Sequence, residues 1–179
     1  MIYLVRHGEA SAGWGSAPDP GLSTLGKRQA EVVADTLNQK PLKRAFASPM
    51  QRCQETAAPF SRLSGQTIET DPRVTEIPTP DGLDDRVAWL QGFMAGKWDA
   101  APAVVSEWRA DLLTAIEAMP EDSVVFTHFI AINTIVGHLE GSDLVTNFRP
   151  GHCSVTQIEK LEGGLKLFEL GSEAATKVL

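Results

Sequence analysis

Two short, largely apolar runs, residues 2–5 and 123–127, lead into histidines, the first through Arg6 to His7 and the second directly to His128, and helical spacing of apolar positions recurs between them. Runs of this length without polar alternation are the mark of strands buried on both faces, which requires helices on both sides of a largely parallel sheet. Residues 42–47 and 66–70 read as two further strands. Before the first of these, Leu25, Val32, Val33 and Leu37 recur along one helix, with Ser23 as its N-cap and Pro41 as its stop. Ser48-Pro49 reads as the N-cap and first helical position of a second helix running toward Leu63, which Pro59 kinks or shortens. Residues 71–82 hold four prolines and glycines and read as an irregular excursion. Two helices follow, over 83–95 and 101–119, the second with Val104, Val105, Trp108, Leu112 and Ile116 along one side. After the 123–127 strand comes an apolar helix over 129–139, then a hairpin of 154–159 and 165–170 turning at Glu162-Gly163-Gly164. The expectation is an α/β fold, a three-layer α/β/α arrangement with a mostly parallel central sheet, formed as a single domain over 1–179.

Composition narrows the function classes. Hydrophobic residues at 42% and charged residues at 22% are ordinary for a folded globular chain. Sixteen Lys and Arg against twenty-three Asp and Glu leave a formal charge of -7, which argues against general binding to nucleic acid or anionic membranes. Any anion site is therefore local. Cys53 and Cys153 are far apart and form no CxxC pair, so no metal site or disulfide framework is expected; both read as buried free thiols. There is no leader pattern and no apolar run near the ~18 residues of a membrane span, so a cytoplasmic location is expected. Nothing in the sequence speaks to oligomeric state.

In layered α/β sheets ligand sites form at the carboxyl ends of parallel strands, and His7 and His128 stand at two such ends. A histidine that attacks phosphorus needs a neutral, oriented imidazole and fixed positive charge around the phosphoryl oxygens. Arg6 supplies a planar fork of donors. Gly8 permits close backbone approach or an unusual φ beside the nucleophile. Arg52, at the start of the second helix, adds a second guanidinium near an anion-favouring helix terminus. His128 can donate a hydrogen bond to the same phosphate.

The segments "LVRHGEA", "ASPMQRCQET", "VVFTHF" and "GLSTLGKRQAEVVADTL" together resemble the histidine phosphatase superfamily, which includes the phosphoglycerate mutases. The resemblance spans most of the chain and implies a phosphoglycerate mutase-like fold. It also implies a phosphohistidine mechanism: His7 attacks phosphorus, Arg6, Arg52, His128 and Gly8 contact the phosphate, and water then hydrolyses the phosphoenzyme. Glu76, in "DPRVTEIPTP", stands where the family places its acid/base glutamate, with Asp81, Asp84 and Asp85 as nearby competitors. A carboxyl group acting as an acid near pH 7 needs a raised pKa, which a bound phosphate dianion favours. The chain carries Thr127-His128-Phe129-Ile130 in place of the usual Ser-His-Gly-Gly, and Ala10 where many members carry a hydroxyl residue. These departures fall on substrate contacts.

The implied activity is a metal-independent, cofactor-free phosphatase acting on a small phosphorylated substrate. The alternatives are a protein phosphohistidine phosphatase, a phosphoglycerate mutase-type phosphotransferase and a noncatalytic phosphate-binding scaffold. His138 and His152 read first as ordinary partly exposed residues, with a place in the pocket wall as the lesser alternative for His152. Arg149 and Trp14 read equally as substrate contacts from loops and as an ion pair and a packed indole. The tryptophans at 89, 98 and 108 read as core, and Cys53 as a buried helix residue.

Overall fold

The computed structural model describes residues 1–13 and 18–174; Trp14 lies outside them. Six strands form one mixed sheet: β1 (Ile2–Arg6), β2 (Arg44–Ala47), β3 (Ile68–Thr70), β4 (Ser123–Thr127), β5 (Val155–Leu161) and β6 (Gly164–Glu169), in the order β3-β2-β4-β1-β5-β6. The β3-β2-β4-β1 half is parallel, whereas β5 runs antiparallel to both β1 and β6. Five helices accompany it among the described residues: α1 (Thr24–Asn38), α2 (Gln51–Ser64), α3 (Arg86–Met94), α4 (Ala103–Ala118) and α5 (Phe129–Glu140). No helix among the described residues is long and apolar enough to cross a membrane.

Strand side chains alternate between two cores. Tyr3, Val5, Ala45, Ala47, Val124 and Phe126 pack under α1 and α2 with Val33, Leu37, Ala57 and Phe60. Ile2, Leu4, Phe46, Val125 and Ile158 face the opposite layer, with Leu90, Leu112, Ile116 and Ile132. Trp98 and Trp108 are buried in that second core and Trp89 packs against it. The layered α/β expectation holds, with the sheet mixed at its β5 side.

Several expectations shift at the level of residues. In α1 the buried stripe is Gly26, Ala30, Val33, Ala34 and Leu37, while Leu25 and Val32 are 49% and 67% exposed. Small residues win the inward face because α1 crosses the chain after β1 at backbone distance: a Cβ on Gly26 would lie 2.1 Å from the Glu9 carbonyl oxygen. Likewise Val104 of α4 is exposed while Val105, Trp108, Leu112 and Ile116 are buried. Ser23 does cap α1, accepting the Gly26 N–H at 3.0 Å. The second helix begins at Gln51, with Met50 as N-cap, two residues later than Ser48-Pro49 suggests; the Ser48 hydroxyl accepts the Met50 N–H at 3.3 Å and also meets His128 Nε2 at 2.8 Å. Pro59 lies inside α2, which continues to Ser64 and ends on Gly65 at φ +72°. Cys53 is buried, but Cys153 is only partly so.

This architecture sets the site. Arg6 of β1 lies in register with Thr127 of β4, and the His7 N–H donates to the Thr127 carbonyl at 2.9 Å. The two strand-terminal histidines thus leave adjacent parallel strands at one level.

Candidate active site

Each imidazole takes its protonation from its partners. The Nδ1 of His7 lies 2.7 Å from the Gly8 carbonyl oxygen, which can only accept, so Nδ1 carries the proton. Nε2 is left with a lone pair, and Arg52 Nε donates to it at 3.1 Å. The same guanidinium donates through Nη2 to His128 Nδ1, also at 3.1 Å. His128 therefore carries its proton on Nε2, which donates to Ser48 Oγ at 2.8 Å. The rings of His7 and His128 meet edge to face, with centroids 5.3 Å apart. Both are buried, and burial together with the nearby arginines holds both pKa values well below the ordinary histidine range. Two neutral imidazoles result.

Arg6 is also buried. Its Nη1 donates to the Pro150 carbonyl at 2.7 Å and its Nη2 to His152 Nε2 at 3.1 Å, while its carbon Cζ sits 5.2 Å from the Phe129 ring centre. Burial lowers its pKa to about 10, so it stays cationic at neutral pH. Two guanidinium groups beside a neutral histidine form a compact positive centre in an acidic protein.

Glu76 comes from the irregular excursion. A 3₁₀ turn over Pro72–Val74 is capped by Asp71, whose carboxylate accepts the Arg73 N–H at 3.0 Å. The segment is held by the Thr127 hydroxyl donating to the Val74 carbonyl at 2.6 Å and by Trp108 Nε1 donating to the Thr75 carbonyl at 3.3 Å. With Val74 and Ile77 buried on either side, the Glu76 carboxyl accepts the Ile77 N–H at 3.2 Å. Burial raises its pKa against the opposing pull of Arg52, two backbone N–H groups and Arg6. That is the direction a proton donor needs.

Arg6, His7, Arg52 and Glu76 line one cavity of about 580 Å³. The wall also takes in apolar Ala10, Pro20, Met50 and Leu90, polar Glu9, Ser11 and Gln29, and Arg86, whose Nε donates to the Thr79 hydroxyl. The structure shows how four further groups are engaged. His128 is absent from the cavity wall; its two ring nitrogens hold Arg52 and Ser48. Gly8 is absent as well: its N–H donates to Thr56 Oγ1 at 3.0 Å, and a Cβ there would lie 2.7 Å from the Gly26 carbonyl, so close packing is what needs the glycine. The α2 N-terminus is taken by Asp19, whose carboxylate accepts the Gln51 N–H at 3.0 Å and lies 3.8 Å from Arg52 Nη1. His152 is partly exposed, as read, and it lines the cavity, the lesser alternative.

The other candidates sit apart. Asp81, Asp84 and Asp85 are exposed, and Asp85 caps α3 by accepting the Ala88 N–H at 2.9 Å. Arg149 is exposed, and its backbone N–H donates to the Glu173 carboxylate at 2.9 Å. His138 is exposed on the last turn of α5. Cys53 Sγ packs 3.3 Å from His128 Nε2, and burial pushes its thiol pKa upward, away from a reactive thiolate. No cluster of three or more His, Cys, Asp or Glu able to hold a metal ion occurs among the described residues.

The profile of the histidine phosphatase superfamily (branch 1) matches residues 2–172. An uncharacterized protein, Rv0525 of Mycobacterium tuberculosis (strain ATCC 25618 / H37Rv), is 30% identical over 182 residues, covering 90% of this chain and 89% of that protein. Among solved structures, the mycobacterial glucosyl-3-phosphoglycerate phosphatase Rv2419c superposes with a TM-score of 0.75 at 20% identity, covering 97% of this chain and 99% of that one. The phosphoserine phosphatase of Entamoeba histolytica, in complex with 3-phosphoglyceric acid, superposes with a TM-score of 0.77 at 20% identity, covering 96% of both chains. At these identities the two structures speak to the fold.

Proposed function

Because the chain belongs to the histidine phosphatase superfamily, we propose that it hydrolyses phosphate monoesters of small molecules through a phosphohistidine intermediate on His7. The observation that carries the reading is the fixed tautomer of His7: Nδ1–H is tied to the Gly8 carbonyl, which leaves Nε2 as the only ring atom able to attack.

In the first step the Nε2 lone pair forms a bond to phosphorus while the bond to the leaving oxygen breaks. For this, the Arg52 Nε–H passes from Nε2 to a phosphoryl oxygen. Arg6 and Arg52 neutralise the equatorial oxygens, where charge accumulates in phosphoryl transfer. Glu76, whose pKa burial raises, gives its proton to the departing alkoxide. In the second step a water attacks phosphorus, the P–N bond breaks, and the Glu76 carboxylate takes the water's proton. His128 works through Arg52, whose fork it orients from behind.

The substrate is read as a small ester because Glu76 supplies an acid for a poor leaving group, a need that a phosphohistidine substrate does not impose. The test is phosphate release, with a chelator present, from a panel of aryl phosphate, sugar phosphates, nucleotides, phosphoglycerates and a phosphohistidine peptide. Release is expected from at least one small ester and should fall about a thousandfold or more in His7→Ala. Comparable turnover by that variant would remove His7 from the nucleophile role. Turnover confined to the phosphopeptide would instead favour the phosphohistidine phosphatase alternative.

A further inference from the structure

One imidazole in the cavity wall has no part in the reaction described above. His152 sits on the turn that precedes β5, and this turn is tied to the backbone of Arg6 itself: Cys153 N–H donates to the Arg6 carbonyl at 3.0 Å, and Arg6 N–H to the Ser154 carbonyl at 3.2 Å. On its outer side Gly151 N–H donates to the Ser172 carbonyl at 2.8 Å. Cys153 adopts φ +56°, a left-handed conformation that residues with a Cβ seldom take. The turn is therefore held in a conformation it does not prefer, by bonds that reach the strand carrying Arg6.

The same turn captures the guanidinium. Arg6 Nη1 and Nη2 donate to the Pro150 carbonyl and to His152 Nε2, so one short segment supplies both acceptors. Since an arginine has no acceptor, Nε2 of His152 holds a lone pair and the ring proton lies on Nδ1. That Nδ1–H has no partner among the described residues. The ring lines the cavity, its centre 6.1 Å from that of His7. Burial and the charge of Arg6 hold its pKa down to about 4, so the ring is neutral at pH 7 and cannot repel the guanidinium it contacts.

We propose that His152 is a positioning and phosphate-binding residue: its Nε2 steers Arg6 toward the phosphoryl oxygens, and its Nδ1–H donates to the phosphate that Arg6 holds. The inference rests on the phosphate-binding reading of the cavity. It assigns the two ring nitrogens separate tasks, and these can be separated by substitution. A glutamine places its amide oxygen near the position of Nε2, whereas an asparagine places its amide nitrogen near that of Nδ1.

The experiment is titration calorimetry of inorganic phosphate at pH 7 against the wild-type chain and the His152→Ala, His152→Gln and His152→Asn variants, with thermal melts of each. His152→Ala should weaken phosphate binding about tenfold to a hundredfold, the range for lost hydrogen bonds to charged groups. His152→Gln should recover part of the loss through Arg6, and His152→Asn a different part through the donor. The melting temperatures should stay together. Phosphate binding within about twofold of wild type in His152→Ala, or a loss that neither amide relieves at all, overturns the assignment. If His152→Ala does not fold, the two amide variants carry the test, and binding equal to wild type in both overturns it. A wild-type chain that binds no phosphate brings down the proposed function and this inference together, which distinguishes that failure from a fault in His152 alone.

Discussion

Arg52 joins the two strand-terminal histidines through a single guanidinium, with Nε 3.1 Å from His7 Nε2 and Nη2 3.1 Å from His128 Nδ1. Neither imidazole can be protonated at the nitrogen facing Arg52 without losing that bond. The planar fork therefore fixes two tautomers at once and carries the positive charge that the proposed reaction requires.

Arg52→Lys tests whether the fork or only the charge matters. An ammonium on a flexible stem cannot span both rings in fixed geometry. The kcat/KM for phosphate release is expected to fall about a hundredfold or more, comparable to loss of one preorganised donor. A fall of less than about fivefold would show that charge alone suffices.

Glu76→Gln keeps the size of the side chain and removes the proton it donates. The rate with alkyl phosphates should drop about a hundredfold to ten-thousandfold, the usual span for a general acid. Activated aryl esters, whose leaving groups need little protonation, should lose far less. Equal losses on both would contradict the acid role, and steady-state kinetics on matched esters decides the matter.

The buried histidines make stability depend on pH in a direction that can be worked out. His7 and His128 have folded pKa values well below 6.5. As pH falls below 6.5 the unfolded chain takes up protons that the folded chain refuses, so the stability these groups contribute is present above 6.5 and lost on acidification. Each costs up to about 1.4 kcal/mol per pH unit. Glu76 has the opposite sign: its raised pKa contributes stability below the ordinary glutamate value of about 4.3, lost as pH rises through its folded value. With three such histidines, His152 at about 4 included, against one carboxyl, the thermal midpoint should fall between pH 6.5 and 5, and less so in His128→Gln measured against its own pH 7 value. A flat profile in the wild-type chain would contradict the neutral buried pair.

Gly26→Ala probes the crossing that seats the nucleophile. The added Cβ would lie 2.1 Å from the Glu9 carbonyl oxygen, with backbone on both sides and no side chain able to move aside. A destabilisation of about 1–3 kcal/mol is expected, or roughly 2–12 °C in the melting temperature of a chain this size. Activity should fall as well, because the displaced strand end carries His7. An unchanged melting temperature would mean that the crossing relaxes freely.

The parts of the fold that follow local rules were legible in the residues. The buried runs at 2–5 and 123–127 are strands, Ser23 caps α1, and the turn at 162–164 closes the last hairpin. As candidates, His7, Arg6 and Arg52 were legible from the needs of phosphorus chemistry at a strand end and a helix start, and Glu76 from family resemblance; the structure brings the four to one cavity. His152 was legible only as the lesser alternative, because a histidine before a strand carries little local signal and its partner Arg6 lies 146 residues away. The inward face of α1 misled for a related reason. Leu25 and Val32 satisfy the helical period, but the close approach at Gly26 turns the small residues inward and leaves both exposed.

The sequence by itself determined which segments become strands and helices, and that a histidine flanked by arginine and glycine ends the first strand. These depend on periods of two and 3.6 residues and on capping groups within a few positions, which adjacent residues settle among themselves. Only the tertiary structure decided what that histidine meets. The order β2-β4-β1 brings Arg52 to His7 across 45 residues and to His128 across 76, and the excursion after β3 returns Glu76 to the same cavity. Charge placement and burial of this kind arise from which strands lie side by side, a property that belongs to the packed chain and to no single stretch of it.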